Sequence, residues 1–400
     1  MIPRKRLDIG WIDVAHGIAA SLAPPRREAV ETVLREVAPG GDHRLACLSV
    51  RSGFDALLTV LDYPPGSEVL VSAITIRDMV RIVEAHGLVP VPVDLDPRSL
   101  QVRPESLQRA IGPRSRAVLV AHLFGSRMPL EPVLDVARAH GLFVVEDGAQ
   151  AFASLDALAP PQADVSLWSF GPIKTTTALA GGLLCFRDPR LLEQVRRHQD
   201  GWPERSRWSF LFRLLKYSVL MALTWPPLYT LFVALCRLAG KSHDAVISAN
   251  TRGFPGDGFL QQIRHRPSTP LLALLARRLQ RFDPAAIAAR TAAAEQAMAA
   301  MPFLERPGDR AARHTHWVFP ILNENPVALV NTLWKQGFDA TRGASSLHVV
   351  GPPADRPELA PVEAERTMER LLYLPVYPEV PQRTAGRLAT ALAKIAANLA

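Results

Sequence analysis

Between Cys47 and Gly182, short apolar runs alternate with segments of helical pattern, and this alternation constrains the fold more than any other feature of the chain. The runs are Glu68–Ser72, Val89–Asp94, Ala117–His122, Leu142–Asp147 and Asp164–Ser169. Between them stand Ile76–His86, Pro104–Ile111 and Leu130–His140. Gly87 and Gly141 follow two of these, where helix C-caps commonly sit. Strands separated by helices of this length build βαβ units, so the expected class is α/β with a mostly parallel central sheet. Such sheets bind ligands at the carboxyl ends of their strands. That directs attention to Thr75, Asp94, His122, Asp147 and Ser169.

Composition narrows the function classes. Of the 400 residues, 48% are hydrophobic and 21% charged, enough to build the cores of about two or three domains. Cys47, Cys185 and Cys236 have no regular spacing, which excludes a disulfide framework or a cysteine-rich zinc site and fits a reducing compartment. No metal is expected. The net charge of +8 suits an anionic membrane surface, phosphorylated substrates or nucleic acid. The basic residues are dispersed and there is no room for an N-terminal helix-turn-helix, so nucleic acid is not expected. Met1–Trp11 carries basic residues without an apolar run behind them, which is not a secretory signal. A cytoplasmic location follows as the expectation.

One segment differs in kind. Tyr217–Cys236 is twenty residues without a charge, long enough by length alone to cross a bilayer. Pro226 and Pro227 stand in its middle and should kink it. Arg205, Arg207, Arg213 and Lys216 precede it, and Arg237 and Lys241 follow. Trp208, Trp225 and Tyr229 are residue types that favour the interface. A straight span would place the halves of one enzyme on opposite sides of the membrane, so a bent insertion into one leaflet through residues 208–239 is expected, with peripheral or monotopic association. A buried helical hairpin in a dimer interface is the plainer alternative.

The chemistry concentrates in Val145–Gln150 (VEDGAQ), Ser166–Lys174 (SLWSFGPIK) and Ala180–Gly182. A carboxylate, Asp147, ends an apolar run; Lys174 follows beyond the next run, with Ser169 five residues before it. Taken singly, such an Asp is usually a cap and such a Lys is usually solvated. Jointly they supply what pyridoxal phosphate chemistry requires: an amine to anchor the cofactor, a carboxylate to keep its ring nitrogen protonated, and hydroxyl and N–H groups for its phosphate. The apolar setting of Lys174 would depress its pKa.

On these segments the chain resembles the DegT/DnrJ-type sugar aminotransferases, pyridoxal-phosphate enzymes of the aspartate-aminotransferase fold, type I. The resemblance runs from about Ser49 to the C-terminus. It rests also on Arg51–Leu57 (RSGFDAL) at the phosphate loop, Pro65–Val71, Pro92–Asp96, Val120–Gly125, Arg266–Ser268, Leu279–Asp283 and Leu372–Pro378 (LYLPVYP). It implies a large domain with a mostly parallel sheet over 46–201, a smaller C-terminal α+β domain over 301–400, an N-terminal arm or helix over 1–45 and a helical connection over 259–300. Residues 202–258 stand as the apolar insertion. It implies Lys174 as the covalent anchor and proton carrier, Asp147 at the pyridine nitrogen, Gln150 at the ring hydroxyl and Ser169 at the phosphate. Gly53, Phe54 and Asp55 then form the phosphate loop, Ile76 stands where the family covers the cofactor with an aromatic ring, and Arg264 aligns with a phosphate-contacting Asn that the family donates from the partner subunit. Phe54, Asp55 and Ile76 depart from the family pattern, which leaves a catalytically degenerate membrane-associated binding or scaffold protein as the second reading. His122 and His316 are each open to a role at the substrate or a purely structural one. The resemblance implies a homodimer, glutamate as amino donor and a keto-sugar or lipid-linked keto compound as acceptor.

Overall fold

The computed structural model describes residues 1–251, 254, 258–343 and 346–397. Parts of the expected insertion and small domain (252–253, 255–257, 344–345, 398–400) lie outside the described residues. Seven strands form the central sheet: β1 (Arg44–Cys47), β2 (Glu68–Ser72), β3 (Val89–Val93), β4 (Ser115–Ala121), β5 (Phe143–Asp147), β6 (Val165–Ser169) and β7 (Gly182–Phe186). Their spatial order is β1-β7-β6-β5-β4-β2-β3. The run from β3 to β6 is parallel, while β7 is antiparallel to both of its neighbours. Every residue of β2 and β7 is buried. A sheet covered by helices on both faces needs such unbroken apolar strands rather than an alternating pattern. The five apolar runs read from the sequence all fall in this sheet. β1 begins at Arg44, inside the stretch expected as an arm, and the rest of that stretch holds helix α1 (Trp11–Leu22) and a second helix, Arg27–Glu36. Gly87 and Gly141 have φ of +70° and +64°, the left-handed geometry that ends their helices.

Helix α2 (Val50–Leu61) follows β1 and packs its apolar side on the sheet. The insertion forms α3 (Arg207–Leu223), α4 (Pro226–Leu238) and α5 (His243–Thr251). Pro226 and Pro227 do not kink one helix. They occupy the first positions of α4, where a missing N–H costs nothing. The axes of α3 and α4 meet at 100°. Among the described residues no single helix is long and apolar enough to cross a membrane; only this bent pair reaches the length together.

The insertion is fastened to the body on its inner side. Phe210, Leu214 and Tyr217 of α3 join a core with α1 and with α6 (Thr269–Gln280). At Gly17 of α1 a Cβ would stand 2.9 Å from a Leu214 methyl, so a larger residue there would have to push the Leu214 side chain aside. Tyr229 of α4 donates its hydroxyl proton to buried Asp339, which also accepts from Arg4 Nε at 2.7 Å and lies 3.2 Å from His243 Nε2. The outer side is bare: Phe212 is 70% exposed and Leu238 84%, with Trp208, Leu215, Val219, Trp225, Leu231 and Leu235 also exposed. The C-terminal part pairs β8 (Phe319–Leu322) with β9 (Leu371–Leu374) in antiparallel fashion. Helix α7 (Pro284–Ala300) packs on this pair through Ala294 and Ala297.

Candidate active site

Asp147 is the last residue of β5, in the middle of the sheet, and Ser169 is the last of β6. Lys174 lies in the loop that joins β6 to β7. That loop is wound tightly: Thr176 and Leu179 hold φ of +55° and +63°, each a departure of roughly 1–3 kcal/mol for a residue with a side chain. Thr177 Oγ1 donates to Gly171 O at 2.6 Å, and Asp8 of the N-terminal segment accepts from Thr176 N at 2.8 Å. These contacts hold the loop in shape. Gly53 and Gly182 let the start of α2 press against β7, since a Cβ at Gly53 would stand 2.3 Å from Leu184 and one at Gly182 would stand 2.7 Å from Val50 N. The strand ends and the helix start therefore converge.

Lys174 is held over the indole of Trp317, its Nζ 4.3 Å from the ring centre. Burial pushes its pKa down to about 8, against the charge of Asp147 and with the help of Arg51. Burial raises the pKa of Asp147, opposed by a hydrogen bond from Ala149 N and by the charges of Lys174, His122 and Arg51. Each thus lies in the other's field. Ala149 N–H, at 2.9 Å, is the only hydrogen bond to the Asp147 side chain among the described residues, and no ion pair reaches it there. A buried carboxylate with unused acceptor capacity calls for a cationic N–H partner. A protonated pyridine nitrogen is such a partner, so the Asp147–Lys174 pair fits pyridoxal phosphate. Gln150 accepts from Phe124 N at 3.0 Å through Oε1, which leaves its amide hydrogens free for an acceptor. Ser169 Oγ lies at the end of β6, accepting a 3.4 Å bond from Gly171 N.

The phosphate loop departs from expectation. Phe54 and Asp55 send their side chains into the core, away from the mouth of the site: Phe54 is 1% exposed among the α2 core residues. Asp55 accepts from Arg264 at 2.8 and 3.0 Å and lies 3.0 Å from His86 Nε2. Arg264 is therefore engaged with Asp55 of its own chain rather than held ready for a phosphate. Phe54 and Asp55 stand four and five residues beyond Val50, past the first turn of α2, so their side chains point elsewhere than the N–H groups at the helix start. A cation that does reach the site is Arg51, on the first turn of α2. It acts electrostatically on both Lys174 and Asp147 and is steadied by Asp78 at 2.6 Å. Sequence reasoning passed over it, although its place beside Ser52 and Gly53 at a helix start was the available signal. Ile76 ends a short strand, Ile74–Ile76, pairs with Leu347 and packs half-buried beside the α2 core.

The two open histidines resolve differently. His122 accepts from Met128 N through Nδ1 at 3.2 Å, so Nε2 carries the hydrogen to Glu146, 2.9 Å away. Glu146 also accepts from Ser166 and Arg127. This is a closed buried network behind the site. Burial pushes Glu146 up, yet its bonds to His122, Arg127 and Ser166 hold it at about 2. Asp94 is structural too, accepting from Glu363 N and Ala364 N at 3.0 and 3.1 Å. His316 has φ of +46° and stacks on His314 with ring centres 4.1 Å apart. Burial, Arg306 and Arg290 hold it at about 4, hence neutral near pH 7. It directly precedes Trp317, whose ring faces Lys174.

From Lys174 a cavity of about 970 Å³ extends beneath α3 and α4. That is the upper end of the roughly 300–1,000 Å³ usual for small-molecule sites.

Solved aminotransferases share this architecture. The aminotransferase TlmJ of Streptoalloteichus hindustanus superposes with a TM-score of 0.70 at 20% identity, covering 99% of this chain and 100% of that one. The sugar aminotransferase CalS13 of Micromonospora echinospora gives 0.68 at 18%, covering 98% and 100%. The ntda protein of Bacillus subtilis, solved with bound cofactor PMP, gives 0.66 at 18%, covering 99% and 86%. The fold is thus that of the pyridoxal-phosphate-dependent transferases of type I. Residues 20–209 match the model of the DegT/DnrJ/EryC1/StrS aminotransferase family. GDP-perosamine synthase of Caulobacter vibrioides is 32% identical over 173 residues, 42% of this chain and 47% of that protein, so the match spans about half of the relative's length.

Proposed function

We propose that the protein is a pyridoxal-phosphate-dependent aminotransferase that moves an amino group from glutamate to a keto-sugar or a lipid-linked keto compound at a membrane surface, working as a homodimer on the cytoplasmic side. The observation that carries this reading is the buried pair: Asp147 with unused acceptor capacity and Lys174 with a pKa near 8, each within the other's field. Lys174 would anchor the cofactor, Asp147 and Gln150 would hold its ring, and Ser169, Arg51 and the α2 N-terminus its phosphate. When bound, pyridoxal phosphate supplies an electron sink for charge developing at the substrate carbon.

The chain's own residues do the rest. Lys174 Nζ takes up and returns the substrate proton, and a pKa of about 8 lets it do both near neutral pH. Asp147 Oδ would hold a proton on the ring nitrogen. Trp317 walls the site beside Lys174. The inward turn of Asp55 onto Arg264 and His86 removes the repulsion that a carboxylate would exert on the phosphate, which favours this reading over a degenerate scaffold. The bare outer side of α3 and α4, flanked by basic residues, supports the membrane part.

An absorption spectrum tests it. Protein loaded with cofactor should show a visible band that shifts on adding glutamate, and Lys174→Ala should show neither. A wild-type protein without the band would refute the cofactor assignment, and a band indifferent to glutamate would refute the donor.

A further inference from the structure

The cavity beyond Lys174 has two chemically distinct ends. The far wall is apolar and built from the insertion: Val219, Leu220 and Leu223 of α3 and Phe232 of α4 line it. The near end is cationic. Lys5 and Arg290 stand there, Arg6, Lys216 and Arg281 line the cavity as well, and among the described residues none of the five forms an ion pair. Lys5 Nζ donates to the carbonyls of Ile173 and Trp317, both at 3.0 Å, and stands 4.3 Å from the centre of the same indole that faces Lys174. Arg290 donates to Thr315 O at 2.7 Å and to Thr175 Oγ1 at 3.3 Å, while its Nη2 is buried without a partner. Burial pushes both Lys5 and Arg290 below their ordinary pKa values; the carboxylate that opposes this is Asp8, itself engaged by Arg278 Nη2 at 3.0 Å and by Thr176 N, so an anionic ligand would supply the counter-charge both lack. The other acids on the wall are Asp283, which caps α7 through Ala285 N, and Glu379. The rim carries Lys216 and Val219, which are exposed and lie on the same bare side of α3 as Phe212 and Leu215.

A sugar alone uses the near end and leaves the far wall empty. Unpaired cations beside an apolar channel that opens on an apolar surface match an amphiphile in both parts. From this juxtaposition, and resting on the aminotransferase reading for the keto end at Lys174, we infer that the acceptor is a phosphate-bearing lipid. Its phosphate sits against Lys5 and Arg290, and its hydrocarbon chain lies in the cavity beneath α3 and α4, entering past Val219. The phosphate belongs to the lipid, not to a nucleotide, because the wall that the insertion builds beyond the cations, Val219, Leu220, Leu223 and Phe232, is apolar.

The test is equilibrium binding to cofactor-loaded full-length protein, below the aggregation concentration of each probe. The probes are oleoyl lysophosphatidate, uncharged monoolein and a nucleoside diphosphate. The expected result is one saturable site for the lysophosphatidate, with monoolein and the nucleotide each about tenfold weaker or more. Leu223→Trp should fill the channel and weaken both lipids about tenfold while leaving vesicle flotation unchanged; Leu220→Phe serves as a milder filler, and both are checked by thermal melting. Arg290→Gln should weaken the lysophosphatidate and spare monoolein. No saturable lipid site, lipid binding indifferent to both channel fillers, or nucleotide binding as tight as the lipid's would overturn the inference. Turnover is not involved: lipid binding without a glutamate half-reaction sinks the activity and leaves the lipid site standing, and the reverse result does the opposite.

Discussion

Asp147 and Lys174 are set against each other by burial, and the direction of each effect has measurable consequences. The carboxylate raises the pKa of Lys174 against the desolvation that brings it to about 8. Reaction of the cofactor-free protein with pyridoxal phosphate requires the free amine, so its rate should rise with pH to a plateau above about 8, rather than above about 10.4 as for a solvated lysine. Asp147→Asn removes the raising influence and should move that midpoint lower. The same variant should lose on the order of 10²-fold or more in turnover, as when a preorganised charge partner is removed. Glu146 is the opposite case. Its folded pKa of about 2 lies below the ordinary 4.5, so its network adds stability above about pH 4.5 that is lost as pH falls toward 2. Acid unfolding of wild type should steepen in that window. Glu146→Gln should lack that component, and His122→Ala, which leaves the buried carboxylate with Ser166 and Arg127 alone, should cost about 1–3 kcal/mol by urea unfolding at pH 7. At this scale the sequence conveyed the pair and its order in the chain, because a strand end and a lysine beyond the next strand are local facts. It did not convey which way Phe54, Asp55 and Arg264 face, because an ion pair between positions 55 and 264 is made only by folding.

The strands were legible because a sheet buried on both faces writes itself as unbroken apolar runs, and Glu68–Ser72 carries the same bounds in the sequence and in the fold. β1 and β7 escaped for a physical reason. The first is four residues opening on a charged Arg44, and the second directly follows Gly181 with φ of +93°, at the end of the tightly wound loop that carries Lys174. The insertion was legible as apolar but misleading in shape, since two prolines read as a kink in a continuous helix also suit the start of a new one. What the sequence could not show is the crossing of α1 and α3 at Gly17. Gly17→Val should splay that contact and lower the stability of the protein by about 1–3 kcal/mol, read as a lower urea midpoint. An unchanged midpoint would mean that α3 is not packed on α1.

At the scale of the molecule, one body combines a buried reaction centre with an external apolar ledge. The ledge extends past the insertion onto α1, where Trp11 is 56% exposed and Ile12 73%, next to α3. Replacing Phe212, Val219 and Leu238 together by Glu should abolish flotation with anionic vesicles while leaving the glutamate half-reaction in detergent within about twofold, since all three face outward. Wild-type protein that fails to float would remove the membrane from the proposal. The central claim is that one lysine among several carries the cofactor, and the structure makes the choice sharp, because Lys5 flanks the same indole as Lys174 at the same 4.3 Å. Borohydride reduction of cofactor-loaded protein, followed by peptide mass spectrometry, decides between them. The expected result is a pyridoxyl group on Lys174 and on no other lysine; a group on Lys5, or on neither, would contradict the site described here.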